Sequence, residues 1–271
     1  MFEALEWNQM LGNVFVFIFG ALWGSFANVV ALRYGTEKGV VWKRSHCLHC
    51  GKTIAWYDNI PVLSWFLLRG HCRHCHQKFS FRYAFVEFLM GLLFLLAYQH
   101  YGFSISTLEF FIFIFGLLAA SVIDVDHYLL PDVFTLSGIL IGLCGSLINP
   151  DRTFLDALAG VLLGGGFLWS IAYLYTLLRK EEGMGGGDIK LIAWIGSVLG
   201  WKSIPFVILI ASLLGTAGGL LVMSRQKKGL KSVIPFGPYL AAAAVLYLLW
   251  GEDIGLWYLN LFVPGLLSDT P

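Results

Sequence analysis

Two thiol pairs, Cys47-Leu48-His49-Cys50 and Cys72-Arg73-His74-Cys75, share one basic loop with 21 residues between them. Two residues between thiols let both sulfurs of a tight turn face one ion, and two such turns make a four-thiolate zinc ribbon. Four thiolates leave no open coordination position, so Zn2+ on Cys47, Cys50, Cys72 and Cys75 would be structural. It would staple a loop with too little apolar core to fold alone. Two other chemistries compete. Disulfides need an oxidising compartment. Haem attachment fits Cys72-Arg73-His74-Cys75-His76 but leaves the first pair without a task. His46, His49, His71, His74 and His76 crowd the same turns and offer substitute ligands. Cys144 stands in an apolar run and reads as packing.

The second set of reactive groups is carboxylates. Asp124 and Asp126 end the apolar run from Phe110 to Ile123 and lead into His127-Tyr128-Leu129-Leu130-Pro131-Asp132. Asp188 closes Gly183-Met184-Gly185-Gly186-Gly187 just before another apolar segment. Ionisable groups at a membrane edge are functional candidates by default. In one reading Asp124 and Asp188 share a proton, one as base on a water and the other as acid on a peptide carbonyl. Gly185, Gly186 and Gly187 would then let an extended backbone approach. In another, Asp124, Asp126 and Asp132 chelate a divalent ion, or one aspartate relays protons in a transporter. In a third, the same residues only cap helices.

The elements that must position these groups are membrane helices. Of 271 residues, 58% are hydrophobic and 13% charged, and the mean hydropathy is +0.73. Runs close to 20 residues long with almost no charge are long enough to cross a bilayer as helices. They fall at residues 11–32, 83–100, 104–123, 133–148, 154–178, 189–199, 204–223 and 235–250, the sixth being short. The fold expected is an all-α polytopic membrane bundle of about eight helices with a small zinc-ribbon-like cytoplasmic loop. Its parts are a first transmembrane helix (1–32), a tetracysteine loop domain (33–82) and a transmembrane domain (83–271). No basic stretch or small-residue cleavage site marks a removable signal, so the first helix is expected to stay as an anchor.

An eight-span path puts 16 Lys and Arg on the side of the cysteine loop and only Arg152 and Lys202 opposite. The positive-inside rule then makes the loop cytoplasmic and the N-terminus external, which argues against disulfides and haem. The basic loop would meet anionic lipid. No nucleic-acid module is visible, and the sequence carries no signal for an oligomeric state.

In chain order, further strings accompany these groups: Gly24-Ser25-Phe26-Ala27-Asn28-Val29-Val30 with Arg33, and Asp58-Asn59-Ile60-Pro61-Val62-Leu63-Ser64-Trp65. Then come Leu68-Arg69-Gly70, Arg82-Tyr83 with Glu87, Asp124-Val125-Asp126 through Leu130-Pro131-Asp132, and Gly185-Gly186-Gly187-Asp188. In this order they resemble the bifunctional type 4 prepilin peptidases, membrane aspartic proteases of the Gly-x-Gly-Asp type, over nearly the whole chain. The resemblance implies Asp124 and Asp188 as the catalytic pair, Asp124 because the family's residue lies seven before the proline, here Pro131. It implies cleavage of a prepilin, or a type II secretion pseudopilin, after the leader glycine on the cytoplasmic face of a bacterial inner membrane. Methylation of the new N-terminus with S-adenosylmethionine would follow. The tetracysteine motif belongs to bifunctional members, and Gly70 matches a glycine associated there with methyl transfer.

Asn28, Arg33, Asp58 and Glu87 are the other candidates for the methyl-donor site, against capping or packing roles. Lys190 is a candidate for binding an acidic substrate residue, or a snorkelling lysine. Gly160 and Gly164 read as helix-packing positions. His49 replaces a usual proline in the first knuckle, and Gln77-Lys78-Phe79 replaces a proline-containing turn. Two rivals remain: a peptidase without methyl transfer, and a proton-coupled transporter with a metal-binding loop.

Overall fold

In a computed structural model, residues 2–35, 45–181, 185–226 and 234–262 are described. Lys38, Lys43, Arg44, Gly183, Met184, Lys227, Lys228 and Lys231 lie outside them. Among the described residues the structure is helical: α1 (Phe2–Arg33), α2 (Leu63–Leu67), α3 (Phe81–Tyr101), α4 (Ile105–His127), α5 (Asp132–Gly145), α6 (Phe154–Arg179), α7 (Gly186–Leu199), α8 (Ser203–Gln226) and α9 (Gly237–Phe262). Each of the eight apolar segments forms a helix, and α2 is a short addition inside the loop. Among the described residues, five stretches have the length and composition to cross a membrane: Gln9–Arg33, Phe81–Tyr101, Ile105–His127, Phe154–Arg179 and Ser203–Val222. At 14 residues each, α5 and α7 reach only about 21 Å, short of the roughly 30 Å hydrocarbon core.

Local sequence sets the ends. Ser80 caps α3 by accepting the Arg82 N–H, and Gly102 stops it at φ +65°. Thr153 and Asp156 form a reciprocal capping box at the start of α6. Gly200 ends α7 at φ +77°.

Two compact units, residues 1–126 and 127–271, divide the chain. In the first, α1 packs on α3 through small residues. A Cβ on Gly20 would stand 2.9 Å from Gly91 Cα, and one on Gly24 would stand 2.7 Å from Glu87 Cα. Such closeness is how helices associate where lipid removes the hydrophobic drive. The α4 helix adds aromatic contacts, with Phe111 stacked on Phe94 at 4.2 Å and Phe115 edge-on to Trp23 at 5.0 Å. Leu11, Phe15, Ile18 and Leu22 form an outward stripe on α1, a surface suited to lipid rather than water. In the second unit α7 is the core helix, buried from Leu191 to Val198. Gly160 of α6 and Gly196 of α7 meet backbone to backbone, and Gly164 is buried against Ile192 and Ile204. Both glycines named from sequence therefore pack helices.

Candidate functional site

The two cysteine pairs fold as the same turn twice. Cys47 N–H donates to Lys52 O at 2.9 Å and Gly51 N–H to Cys47 O at 2.9 Å. Cys72 N–H donates to Gln77 O at 2.9 Å and His76 N–H to Cys72 O at 3.0 Å. Single antiparallel bridges close both turns, His46 with Thr53 and His71 with Lys78. The four sulfurs lie within 4.8 Å of one another, and Cys47 and Cys75 are 3.8 Å apart. A tetrahedral ion with bonds of about 2.3 Å sets its sulfurs about 3.8 Å apart. Among the described residues this is the one cluster of that kind, and no histidine joins it.

The thiols cannot all ionise by themselves. The Cys50 N–H aimed at Cys47 holds that thiol down to about 7 against the opposing effect of burial. Cys75 accepts the Gln77 N–H, yet burial and the neighbouring sulfurs of Cys72, Cys50 and Cys47 push it up to about 12. A cation is what lets such a group deprotonate together. The donor set, its closure and its spacing fit structural zinc.

Beneath the knuckles, within the first unit, lies a cavity of about 730 Å³. Asn28, Arg33, Asp58, Gly70 and Glu87 all line it, so five candidates spread over 60 residues of sequence meet at one place. Each has a local role. Asn28 Nδ2 donates to Tyr83 O at 3.0 Å, tying α1 to α3. Arg33 is buried at the end of α1. Asp58 takes both arms of Arg73, Nε at 2.7 Å and Nη2 at 2.5 Å, and the Arg73 guanidinium holds its carboxyl below the usual range. The same guanidinium sits over the Tyr57 ring. Gly70 has φ +68°, and a Cβ there would stand 2.9 Å from the Trp65 indole. Two constraints, left-handed backbone and an aromatic floor, thus call for glycine.

Glu87 Oε2 accepts the Val62 N–H at 2.7 Å. Val62 has φ +63° and ψ −56°, with Leu63 N–H donating to Pro61 O at 2.6 Å. This is a positive-φ γ-turn on a β-branched residue, a rare and strained conformation that persists only when its surroundings impose it.

The aspartates at the end of α4 differ. Asp124 is buried, at 6% exposure. Asp126 is gripped by Arg82 from the first turn of α3, Nη1 to Oδ1 at 2.6 Å and Nη2 to Oδ2 at 2.7 Å. Asp132 opens α5 and receives Lys190 Nζ at 2.6 Å. With Asp126 and Asp132 each held by a cation, the chelating triad of Asp124, Asp126 and Asp132 finds no support. Lys190 is likewise engaged, linking α5 to α7. Asp188 lies in the first turn of α7, where negative charge suits the helix N-terminus. Of the glycines before it, Gly187 is forced by packing, its Cβ position lying 2.9 Å from Leu130 Cβ. Gly186 has open space around it, and Gly185 has only Asp188 Oδ2 at 4.0 Å.

Sequence reasoning missed the Arg82 clamp, the Trp65 floor and the Val62 turn. It also passed over one available signal: His-Cys-x-His-Cys occurs twice, 25 residues apart.

Comparison with known proteins agrees along the chain. Residues 18–101 match the bacterial peptidase A24 N-terminal domain and residues 111–220 the type IV leader peptidase family. A prepilin leader peptidase/N-methyltransferase of Stutzerimonas stutzeri is 37% identical, covering 95% of this chain and 97% of that protein. One from Aeromonas hydrophila is 37% identical over 92% and 94%, and one from Pseudomonas aeruginosa 36% over 90% and 92%. No solved structure matches. The transporter reading has no counterpart among these relatives. Motif order, paired knuckles and matches over nine-tenths of the chain converge on one result: the chain belongs to the type IV leader peptidase family.

Proposed function

We propose that Asp124 and Asp188 are the aspartic pair of a prepilin peptidase that also N-methylates its product. The protein removes the leader of a prepilin and methylates the new N-terminus, as its relatives' names describe. One carboxylate activates water and the other protonates the scissile carbonyl, with Gly185 and Gly186 leaving room for an extended substrate backbone. The observation that carries the assignment is the Arg82 clamp. Both oxygens of Asp126 are taken by one guanidinium, so the acid–base work at the end of α4 falls to buried Asp124.

The substrates are type IV prepilins or secretion pseudopilins cut after the leader glycine. The chain sits in a bacterial inner membrane with N-terminus outside and cysteine loop inside. S-adenosylmethionine is the methyl donor. Zinc on Cys47, Cys50, Cys72 and Cys75 fixes the loop; it holds the fold and does no chemistry on substrate. Functionally the chain divides into an anchor helix (1–32), the tetracysteine loop (33–82) and the peptidase (83–271).

The test is intact mass after incubating a leader-bearing prepilin with wild type, Asp124→Asn, Asp126→Asn and Asp188→Asn, with and without S-adenosylmethionine. Leader loss plus one methyl group is expected from wild type, and no cleavage from Asp124→Asn or Asp188→Asn. Asp126→Asn should retain cleavage at a reduced rate. Normal cleavage by Asp124→Asn would transfer the role to Asp126.

A further inference from the structure

The cavity under the knuckles is lined by two acidic groups, Asp58 and Glu87, and by the cations Arg33, Lys52, Arg73 and Lys78. Asp58 is matched by Arg73. Among the described residues, no cation pairs with Glu87. Its carboxylate is held instead by neutral donors, the Val62 N–H at 2.7 Å and the Ser25 hydroxyl. These bonds orient the group without cancelling its charge. A fixed carboxylate on a cavity wall, with no cation at ion-pair distance, is arranged to receive one.

The apolar part of the wall says what kind. Val29, Leu32, Ile54, Trp65 and Phe79 give it apolar and aromatic surface. The volume, about 730 Å³, lies in the roughly 300–1,000 Å³ range of sites for cofactor-sized ligands. A ligand with a flat apolar part and one permanent positive charge fits these walls. A sulfonium nucleoside is such a molecule.

We propose that this cavity is the methyl-donor site and that Glu87 receives the sulfonium of S-adenosylmethionine. This rests on the methyltransferase reading above. In the transfer, the lone pair of the substrate amine forms the new N–C bond, the C–S bond breaks and its electrons stay on sulfur. The methylated amine then releases one proton to solvent. Sulfur loses its charge in that step, so the Glu87 attraction exists for the donor and vanishes for the spent thioether. Glu87 thereby makes the site prefer substrate to product, which speeds exchange after each turnover. The strained turn at Val62 gains a purpose, since the amide that fixes the carboxylate is the one the turn presents.

The experiment is equilibrium binding of S-adenosylmethionine and S-adenosylhomocysteine to purified full-length protein. Wild type, Glu87→Gln and Ala55→Trp are compared, with zinc content checked for each. Glutamine keeps an acceptor for the Val62 N–H and removes only the charge. Glu87→Gln should weaken the sulfonium ligand about tenfold and change the thioether less than twofold. Ala55→Trp, which fills the cavity from its wall, should lose both ligands. Equal weakening of the two ligands by Glu87→Gln, or no weakening of either, overturns the role of Glu87. Normal binding of both by Ala55→Trp in a protein whose wild type methylates overturns the site and leaves the methyltransferase reading standing. A wild type that cleaves prepilin but neither binds the donor nor methylates removes that reading, and this inference with it.

Discussion

The two knuckles are one turn with different surroundings. Both carry the same backbone hydrogen bonds and the same single bridge. At the second knuckle position the first has Leu48, two-thirds exposed, and the second has Arg73, which grips Asp58 and covers Tyr57. At the left-handed position the first has Gly51 at φ +71° and the second His76 at φ +54°. The cysteines are thus equivalent, whereas the residues between and after them are not. The first knuckle supplies thiolates and borders the cavity with Leu48, His49 and Lys52. The second also carries a side chain that fixes the Trp56–Asn59 turn on the cavity wall.

The equivalence gives the largest expected effect. Cys47→Ser and Cys72→Ser should lose metal to the same extent, since any three thiolates leave the same defect. Metal content, and protease sensitivity of the loop, would fall in parallel. Methyl transfer should suffer at least as much as leader cleavage. A variant in one knuckle that kept its metal while its counterpart lost it would break the equivalence.

The difference gives the next. Arg73→Ala should raise the apparent KM for the methyl donor about tenfold, because the bidentate pair that holds Asp58 is gone. Leu48→Ala should raise it only slightly, since Leu48 borders the cavity but makes no ion pair that holds another part of its wall. Metal content should be intact in both. Equal effects from the two substitutions would mean that the knuckles act on the cavity only through the metal.

How far these features were legible from the sequence depended on their range. Spans came from apolar runs, and each of the eight runs is a helix. The shortness of α7 was readable from its apolar segment of only 11 residues, 189–199. The clustering of Cys47, Cys50, Cys72 and Cys75 followed from spacing, because a turn is local. The convergence of Asn28, Arg33, Asp58, Gly70 and Glu87 on one cavity was not readable, since it depends on how α1, α3 and the loop pack. The reason for Gly70 was hidden for the same cause: its obstacle, the Trp65 ring, is set by the turn between them. Arg82 and Asp126 are 44 residues apart, and each alone reads as an interfacial charge. The left-handed turn at Val62 ran against propensity, as expected where tertiary contacts impose the backbone.

The smallest effect comes from the left-handed position, and it tests whether the two turns are energetically one. A non-glycine residue there costs about 1 kcal/mol or slightly more, partly offset by the extra freedom of glycine in the unfolded chain. His76→Gly should therefore stabilise the metal-bound loop by about 0.5 kcal/mol. Gly51→Ala should destabilise it by a similar amount, about 0.5 kcal/mol. Nothing lies within 4 Å of a Cβ at Gly51, so that cost is purely conformational and carries no packing term. Chelator competition at fixed pH reads both changes as opposite shifts in metal affinity. If His76→Gly weakened the metal instead, the imidazole would be contributing something to its knuckle that glycine in the first does not supply. The parallel between the turns would then end at their hydrogen bonds.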